Sequence, residues 1–404
     1  KKIWRMAAGT VILSLLAVYG ILWVFTRDSL FSSAVYNSYV LQANRWLSGH
    51  LDLGRNYEYL EIAHYGGRYF ISFPPIPSVL LLPLCILFGE NPPDHLVAVG
   101  MGLLGALFAL RLALRMGIQP PSAIFWTLFL TAGSNFVHIG YRADVWYFAQ
   151  VCAFGFTMMA FYFAAVGSMK SGWVPLFALA LAVGCRPLNM VYLPLVLVLL
   201  WNSRRPWYDS SFIFVTTAWW WVIPALAVGV FLMVLNGVRF GNVLEFGHNY
   251  LPEFAQESPE GQFNLSYIPG NLHRMLRLPE WKDGVLEFPI FDGFAFWMLS
   301  PIMLVLTGLW LWNLRWAWKE PILWLVLGLC FLHILVLCAH KTLGGWQFGN
   351  RYTVDLLPCV FVGLVVLLRR QKELPGMIFT PLLLWGMGLN LVGTIGVMNH
   401  WLAG

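Results

Sequence analysis

Charged side chains are scarce in this chain: only 11% of its 404 residues are Asp, Glu, Lys or Arg, whereas 59% are hydrophobic. Soluble globular domains carry about 25% charged residues, so this composition excludes a soluble protein. In a bilayer, α-helices satisfy the backbone hydrogen bonds of an open chain. The sequence therefore predicts an all-α polytopic membrane protein.

Three further features of the sequence narrow the class of protein. The six cysteines lie in or beside apolar runs with no Cys-X-X-Cys pair, which indicates small buried hydrophobic residues, neither disulfides nor metal ligands. No internal repeat is visible, so the inverted repeats of many transporters gain no support. The net charge of +6 comes from short basic clusters between apolar runs, and we expect no nucleic-acid partner.

The apolar runs predict about eleven transmembrane helices. The first follows three basic residues and keeps bulky side chains to its end, so we expect a span and not a cleaved signal peptide. The candidate spans are residues 6–25, 96–114, 121–136, 145–167, 173–185, 188–202, 212–235, 294–313, 321–339, 353–368 and 375–396.

One further apolar run, residues 76–89, is predicted not to cross the membrane. It is 14 residues long and holds Pro77 and Pro83, whereas a span needs about 20 residues. If it stays outside and the N-terminus is cytoplasmic, 13 of the 25 basic but only 3 of the 19 acidic residues face the cytoplasm. That asymmetry obeys the positive-inside rule, and a crossing would reverse it. We therefore predict a re-entrant or juxtamembrane helix.

This topology makes residues 1–404 a single transmembrane domain with two large extracytoplasmic loops, 27–95 and 236–293. The first loop carries two candidate catalytic acids. Asp28 follows the first span directly and could be a general base, or merely cap the next helix. Glu61 lies in an apolar, aromatic strip, where burial would raise its pKa toward that of a useful base. A structural ion pair with Arg55 or Arg68 is the alternative.

Basic side chains at the same predicted face could hold a phosphate. Arg142 and Asp144 open a span and could bind phosphate and a sugar hydroxyl, or form a simple interfacial ion pair. Arg186 interrupts two apolar runs, where a lone guanidinium should face a cavity or an anion. Later loops add Arg239, His248, Lys341 and Arg351 among glycines and aromatic residues, which suits sugars and phosphates. Asp355 follows Arg351 by four residues, so a helical ion pair is the alternative there.

In combination, these features resemble the GT-C integral-membrane glycosyltransferases, in the branch of protein O-mannosyltransferases and bacterial aminoarabinose transferases. The resemblance rests on an acid directly after the first span and on several later motifs. The motifs are Tyr39…Ala43…Trp46…Ser48-Gly49, Gly67-Arg68-Tyr69…Pro74-Pro75 and Arg142…Asp144. Further segments resemble a group of bacterial members, namely Asn37-Ser38-Tyr39, Leu60–Tyr69, Arg239-Phe240-Gly241 and Phe348-Gly349-Asn350-Arg351-Tyr352.

The resemblance implies inverting transfer of a sugar from a polyprenyl (undecaprenyl) phosphate carrier to a hydroxyl of a glycan, lipid or protein acceptor. It implies Asp28 as base, Asp144 as second acid, and Arg142 and Arg186 as phosphate binders, with Arg68, Arg239, His248, Lys341 and Arg351 as further candidates. The aminoarabinose branch has its acid where this chain has Asn37, and the mannosyltransferases' Asp-Glu pair is absent. The choice between Asp28 and Glu61 therefore stays open.

The expected location is the bacterial cytoplasmic membrane, with the active site on its outer face in contact with lipid. No metal cofactor is required, because Arg and Lys can neutralise a monophosphate leaving group, and no His/Asp cluster has convincing ligand spacing. Two alternatives remain: a transporter or flippase of a lipid-linked sugar, and a non-catalytic assembly subunit. Acids that crowd one predicted face favour a surface active site over a pore.

Overall fold

Helices make up most of the chain in the computed structural model, which describes residues 2–168, 171–204, 219–252, 260–371 and 376–402. In chain order they are α1 (Lys2–Thr26), α2 (Ser38–Leu47), α3 (Ile76–Phe88), α4 (Asp94–Arg115), α5 (Pro120–Thr131), α6 (Phe136–Gly140), α7 (Val145–Val166), α8 (Val174–Val183), α9 (Leu193–Arg204), α10 (Ile223–Phe240), α11 (Ile268–Leu276), α12 (Phe296–Leu299), α13 (Ile302–Trp312), α14 (Leu314–Ala317), α15 (Pro321–Ala339), α16 (Leu357–Arg370) and α17 (Thr380–Met398). Short 3₁₀ helices lead into α9, α10, α16 and α17; they are Pro187–Tyr192, Trp219–Val222, Arg351–Leu356 and Gly376–Phe379.

Seven helical segments of the described residues are long and apolar enough to cross a membrane. They are α1, α4, α7 and α15, together with α10, α16 and α17 when the 3₁₀ turns before these three are included. The chain is therefore a polytopic membrane protein.

The predicted number of eleven spans is not confirmed by helix length. The predicted spans 121–136, 173–185, 188–202 and 294–313 contain the shorter helices α5, α8, α9 and α13. Glycine and proline divide these apolar runs: Gly133 follows α5, Gly184 and Pro187 separate α8 from the 3₁₀ turn before α9, and Pro301 precedes α13. The apolar run at 76–89 does form a short helix, α3.

Two small β-hairpins depart from the predicted all-α fold. β1 (Ile62–Tyr65) pairs antiparallel with β2 (Arg68–Ile71), and β3 (Glu280–Lys282) pairs with β4 (Val285–Glu287). The turns are Gly66-Gly67 and Asp283-Gly284, in which all four residues have positive φ. This conformation matches the right-handed twist of the strands and favours a two-residue hairpin. The chain is thus mostly helical, with its strands in the two long loops.

Close packing of α4 against α7 forms the centre of the bundle. A Cβ on Gly105 of α4 would lie 2.5 Å from the Phe154 ring, and a Cβ on Gly155 of α7 would lie 2.8 Å from the Met101 carbonyl oxygen. The two backbones approach this closely only because both positions are glycine. Phe136 packs on Phe154 with ring centroids 4.4 Å apart and fills the space beside the contact.

Many helix ends meet at one end of the bundle, which we call the site end. The Asn399 side chain, after α17, donates to the carbonyl of Phe25 near the end of α1. The Ile76 N–H, at the start of α3, donates to the carbonyl of Gly184, just after α8. The other end of α3 returns to the same region, because the Asn44 side chain of α2 donates to the carbonyl of Gly89. Both ends of α3 therefore lie at the site end.

Basic side chains gather at the opposite end of the bundle. The Arg111 guanidinium lies 4.6 Å from the Trp4 ring centroid, and Arg370 forms an ion pair with Glu320 at 3.5 Å. Gln371 bonds Asn313 nearby, which joins the ends of α13 and α16. Charge is therefore divided between the two ends of the bundle.

Replacing Gly155 with Ala should destabilise the protein, because the new methyl group meets the backbone oxygen of Met101. Overpacking of this kind costs about 1–3 kcal/mol. Gly100→Ala is the matched control, since a Cβ there meets nothing within 4 Å. Thermal unfolding in detergent should show a lower midpoint for Gly155→Ala alone. Equal midpoints for the two variants would contradict the α4–α7 contact.

Candidate functional site

The start of α7 is the centre of the candidate site, because three chain segments meet there. Asp144 is the N-cap residue of α7, and Arg142 lies two residues before it. Arg27 follows α1 in the left-handed conformation (φ 57°), and the Asp28 N–H bonds the Trp23 carbonyl at 3.0 Å. The chain therefore turns sharply and holds Asp28 at the helix end.

Asp28, Asp94, His95, Arg142 and Asp144 form one contiguous set of charged side chains, which we call the acidic network. The Arg142 Nε lies 3.1 Å from Asp144 Oδ2 and 3.3 Å from Asp28 Oδ2. His95 Nε2 lies 3.2 Å from the same Asp28 oxygen, and its Nδ1 lies 3.0 Å from Asp94 Oδ1. The Asp28 side chain is 14% exposed and that of Asp144 only 4%. Asp28 is thus the more accessible of these two carboxylates.

Ion pairing and burial compete in the acidic network. Burial opposes the ionisation of Asp28, but His95, the Ser29 N–H and Arg142 outweigh it and lower the pKa of this carboxyl to about 2. For Asp144 the balance is reversed: burial raises its pKa although Arg142 opposes the shift. Burial also works against the charged form of Arg142, yet the two carboxylates raise its pKa above the usual value. Asp28 is therefore ionised at neutral pH.

Two aromatic rings join Glu61 to the acidic network. The Trp146 Nε1–H, in the first turn of α7, donates to Glu61 Oε1 at 3.2 Å. The Trp146 ring lies against Tyr36, with centroids 4.8 Å apart. The Tyr36 N–H in turn lies 3.4 Å from Asp144 Oδ1. Glu61 is half-buried and is linked to Asp144 through these two residues.

A second set of side chains, which we call the guanidinium group, comprises Arg186, Arg351, Tyr352 and Asp355. Arg186 donates through Nε and Nη2 to Asp355 Oδ2, at 3.0 and 2.9 Å. The guanidinium carbons of Arg186 and Arg351 each lie 4.8 Å from the Tyr352 ring centroid. Gln150 of α7 donates to the Arg351 carbonyl and to Asp355 Oδ1. The same helix thus contacts both this group and the acidic network.

Two histidines and a lysine extend the basic region beyond Arg186. The His248 and His340 rings lie with centroids 6.2 Å apart, and His248 Nδ1 lies 3.1 Å from the Ser72 carbonyl oxygen. Burial, together with the positive charges of Lys341 and Arg186, lowers the pKa of each histidine to about 4. Both rings are therefore neutral at physiological pH.

Two buried guanidinium groups have no acidic partner among the described residues. Arg239 is 2% exposed and donates to Asn236 Oδ1 at 2.9 Å and to the Ile71 carbonyl at 3.3 Å. Arg351 is 4% exposed, and its Nη2 donates to the Gly344 carbonyl at 3.0 Å. Among the described residues, no carboxylate lies within 4.0 Å of either one. Buried charge without a counter-charge is costly, which makes an anion a favourable ligand here.

The structure brings together most residues that the sequence singled out, but not all. Asp28, Arg142 and Asp144 are in contact, and Trp146 connects Glu61 to them. Arg186 and Arg351 share Tyr352, while His248 and Lys341 lie beside Arg186. Arg68 is different: it is exposed at the start of β2 and lines a surface pocket of about 470 Å³ with Gly49, His50, Leu51, Asp52, Gly54, Gly67 and Tyr69. No contact in the described residues links it to the acidic network.

Sequence reasoning missed His95 and Asp94. The alternative it offered for Arg351, a helical ion pair with Asp355, does not form, because residues 351–356 form a 3₁₀ turn and Asp355 bonds Arg186. Asp94 and His95 precede the predicted span 96–114 directly. Two ionisable residues at the mouth of a span were the available signal for them.

The chain shares its fold with a solved structure, that of ArnT. It is similar to ArnT from Cupriavidus metallidurans in the apo state, with a TM-score of 0.56 and 14% identity over 96% of this chain and 76% of that one. ArnT from the same organism bound to undecaprenyl phosphate gives a TM-score of 0.50 over the same shares, also with 14% identity. No protein-family model matches the sequence, and comparison with curated protein sequences gave no match.

Stability should fall as the pH drops below about 6.5, the ordinary pKa of histidine. The unfolded chain takes up protons from that pH downward, whereas His248 and His340 resist protonation until about pH 4. Because the unfolded chain binds more protons than the folded one in this pH range, acid favours unfolding. Thermal midpoints in detergent from pH 7.5 to 5 should show a steep decline. His248→Gln with His340→Gln should flatten it, while His64→Gln, an exposed histidine on β1, should not. An unaltered slope in the double variant would contradict the assignment.

Proposed function

We propose that this protein transfers a sugar, with inversion, from a polyprenyl-phosphate carrier to an acceptor hydroxyl at the outer face of the bacterial cytoplasmic membrane. The observation that carries the proposal is the arrangement around α7: an ionised carboxylate at its first turn, and buried guanidinium groups beside its second. Transfer from a phosphate carrier needs a proton acceptor on one side of the anomeric carbon and cations on the other. The GT-C fold and the undecaprenyl phosphate bound by ArnT support this carrier class.

The proposed topology has eleven crossings within one domain, residues 1–404, and a cytoplasmic N-terminus. The shorter helices α5, α8, α9 and α13 also cross, and α3 re-enters because both of its ends lie at the site end. Loops 27–95 and 236–293 are then extracytoplasmic. The basic side chains at the other end of the bundle, such as Arg111 and Arg370, support a cytoplasmic location for that end.

The carrier phosphate is proposed to bind the guanidinium group together with Arg239, Lys341 and the neutral His248. Arg351 and Arg239 are the strongest candidates, because they are buried and have only neutral hydrogen-bond acceptors in the described residues. As the bond from the anomeric carbon to the phosphate oxygen breaks, negative charge builds on the phosphate. These cations stabilise that charge, and we therefore propose that no metal ion is required.

The proton of the acceptor hydroxyl is proposed to pass to Asp28 as the oxygen attacks the anomeric carbon. Asp28 is ionised and more accessible than Asp144, and His95 and Arg142 hold it. Glu61, which accepts from the Trp146 ring N–H, then binds the acceptor or the sugar. Arg142 lies between two carboxylates. We therefore propose that it orients Asp28 and Asp144 and does not bind the phosphate.

The isoprenoid tail is proposed to lie in an apolar groove along α10. The groove has a volume of about 650 Å³ and is lined by Leu51, Ile223, Leu226, Ala227, Val230, Phe231, Val234, Leu235 and Val238. Residues 223–238 span about 24 Å of helix, most of the hydrocarbon thickness. The groove ends next to Arg239, one residue beyond Val238, so a tail placed there would leave its phosphate at the basic region.

Cysteine labelling tests the proposed topology. A membrane-impermeant maleimide should label Glu90→Cys, after α3, and Asp283→Cys from outside the cell, but should label Lys319→Cys only after permeabilisation. All three positions are exposed, and five of the six native cysteines are buried, so the background is low. The unsubstituted protein provides the control. Labelling of Glu90→Cys from the cytoplasmic side alone would mean that α3 crosses the membrane.

Asp28→Asn should reduce sugar transfer about 100-fold or more while the protein still folds, since general-base catalysis contributes ~10²–10⁴. Mass spectrometry of envelope glycans from cells with and without the gene would identify the product, and variants are then compared by its yield. Asp52→Asn, a carboxylate of the same loop that pairs with Arg45, is the control and should retain activity.

Glu61→Gln decides the assignment of the base. If the Glu61→Gln variant loses sugar transfer and the Asp28→Asn variant remains active, Glu61 is the base. Full activity in both variants, or no glycan that depends on the gene, would refute the proposed transferase.

A further inference from the structure

The His95 ring lies between two carboxylates that come from different parts of the chain. Its Nε2 is 3.2 Å from Asp28 Oδ2, and its Nδ1 is 3.0 Å from Asp94 Oδ1. The side chain is 1% exposed, so water does not compete for either nitrogen. Asp94 is itself fixed, because its Oδ1 also accepts the Ala34 N–H at 2.9 Å.

The His95 ring can donate a hydrogen bond to both carboxyl groups only when it is protonated at both nitrogens. A neutral ring would direct a lone pair at one carboxylate in a buried site, where such repulsion is strongest. The charges agree with this requirement. In the described residues, Arg142 pairs with Asp28 and Asp144, whereas Asp94 has no cationic partner within 4.0 Å other than His95.

We propose that His95 is an imidazolium and the positioning residue for Asp28: it fixes the orientation of that carboxylate and keeps it ionised. The proposal rests on the proposed transferase, in which Asp28 accepts the proton. In this proposal His95 acts on the reaction by positioning Asp28 and does not contact the substrate.

The hydrogen bonds of Asp28 indicate which of its oxygens reacts. Oδ2 bonds the His95 ring and faces Arg142, whereas the one donor to Oδ1 among the described residues is the Ser29 N–H, at 2.8 Å. A carboxylate oxygen has two lone pairs, so Oδ1 keeps one available. His95 thus turns Oδ1 toward the acceptor hydroxyl.

The other titratable groups near His95 support the same charge state. Asp144, at the start of α7, lies close enough to interact electrostatically with the ring, and Asp94 precedes it on α4. Arg142 opposes protonation, but it is held between Asp28 and Asp144. Cys85 of α3 faces Asp94 and is uncharged at neutral pH. Acidic neighbours therefore outnumber basic ones around the ring.

The charge state can be measured without any assay of transfer. In the full-length protein with isotope-labelled histidine, NMR at pH 8 should show an imidazolium signal that disappears in His95→Gln. A neutral His95 at pH 8 would overturn the proposal. The charge state is measured in the unsubstituted protein, and His95→Gln serves only to assign the signal.

Infrared titration measures the effect on Asp28, with Asp28→Asn used to assign its carboxyl band. The pKa of Asp28 should rise by about 1–3 units in His95→Gln, the usual effect of losing a nearby opposite charge. Asp94→Asn should give a smaller shift in the same direction. His333→Gln is the matched control: it replaces another buried histidine, which bonds Tyr192, and should leave the band unchanged. An unshifted Asp28 band in His95→Gln would also overturn the proposal.

Transfer assays then separate this inference from the proposed function. In His95→Gln, kcat should fall with little change in KM, and the acidic limb of the pH profile should move to higher pH. A purely structural role would lower activity equally at every pH. If transfer is real but its pH profile does not move, the positioning role fails alone. If His95 is an imidazolium and the gene directs no transfer, the proposed function fails and the charge state stands.

Discussion

The arrangement at the site end depends on one constraint: ionised side chains buried in an apolar bundle need partners of opposite charge. Arg142 supplies a cation between Asp28 and Asp144, and no single helix carries all three residues. Satisfying these charges brings the end of α1 to the start of α7. His95 extends the same pairing to α4 through Asp28 and Asp94. Electrostatics therefore fixes the relative positions of three helices, and apolar packing below them fixes their spacing.

Helix α7 sets the distance between the acidic network and the guanidinium group. Asp144 caps the helix and contacts Arg142, whereas Gln150 bonds the backbone of Arg351 and the side chain of Asp355. Six residues correspond to about 9 Å along a helix axis. The acidic network and the guanidinium group are thus held apart by a rigid element, with Trp146 and Tyr147 between them. Trp146 is the more exposed of these two side chains, and in the proposed transferase an aromatic ring between an acid and a cation would suit a sugar carrying a phosphate.

The sequence pattern predicted those parts of the fold that depend on residues close together in the chain. Apolar length located α1, α4, α7 and α15 to within a few residues, and the adjacency of Arg142 and Asp144 in sequence kept them adjacent in space. The number of spans was harder to predict, because Gly133, Gly184 and Pro301 divide apolar runs that hydropathy treats as continuous. The partner of Asp355 was also beyond reach. Arg186 lies 169 residues away, and only the tertiary fold brings it closer than Arg351.

The acidic network and the guanidinium group, which both contact α7, differ in charge. This difference would orient a charged ligand in the site. With His95 as an imidazolium, the acidic network holds three aspartates and two cationic side chains, so acidic groups are in excess there. The guanidinium group has two arginines and one aspartate, which leaves +1, and Arg239 adds another buried positive charge nearby. A phosphate is attracted to the guanidinium group and repelled by the acidic network, while a neutral hydroxyl can donate to a carboxylate of the acidic network. In the proposed transferase, the field would therefore orient a phosphate-linked donor with its leaving group away from Asp28, as in-line displacement requires.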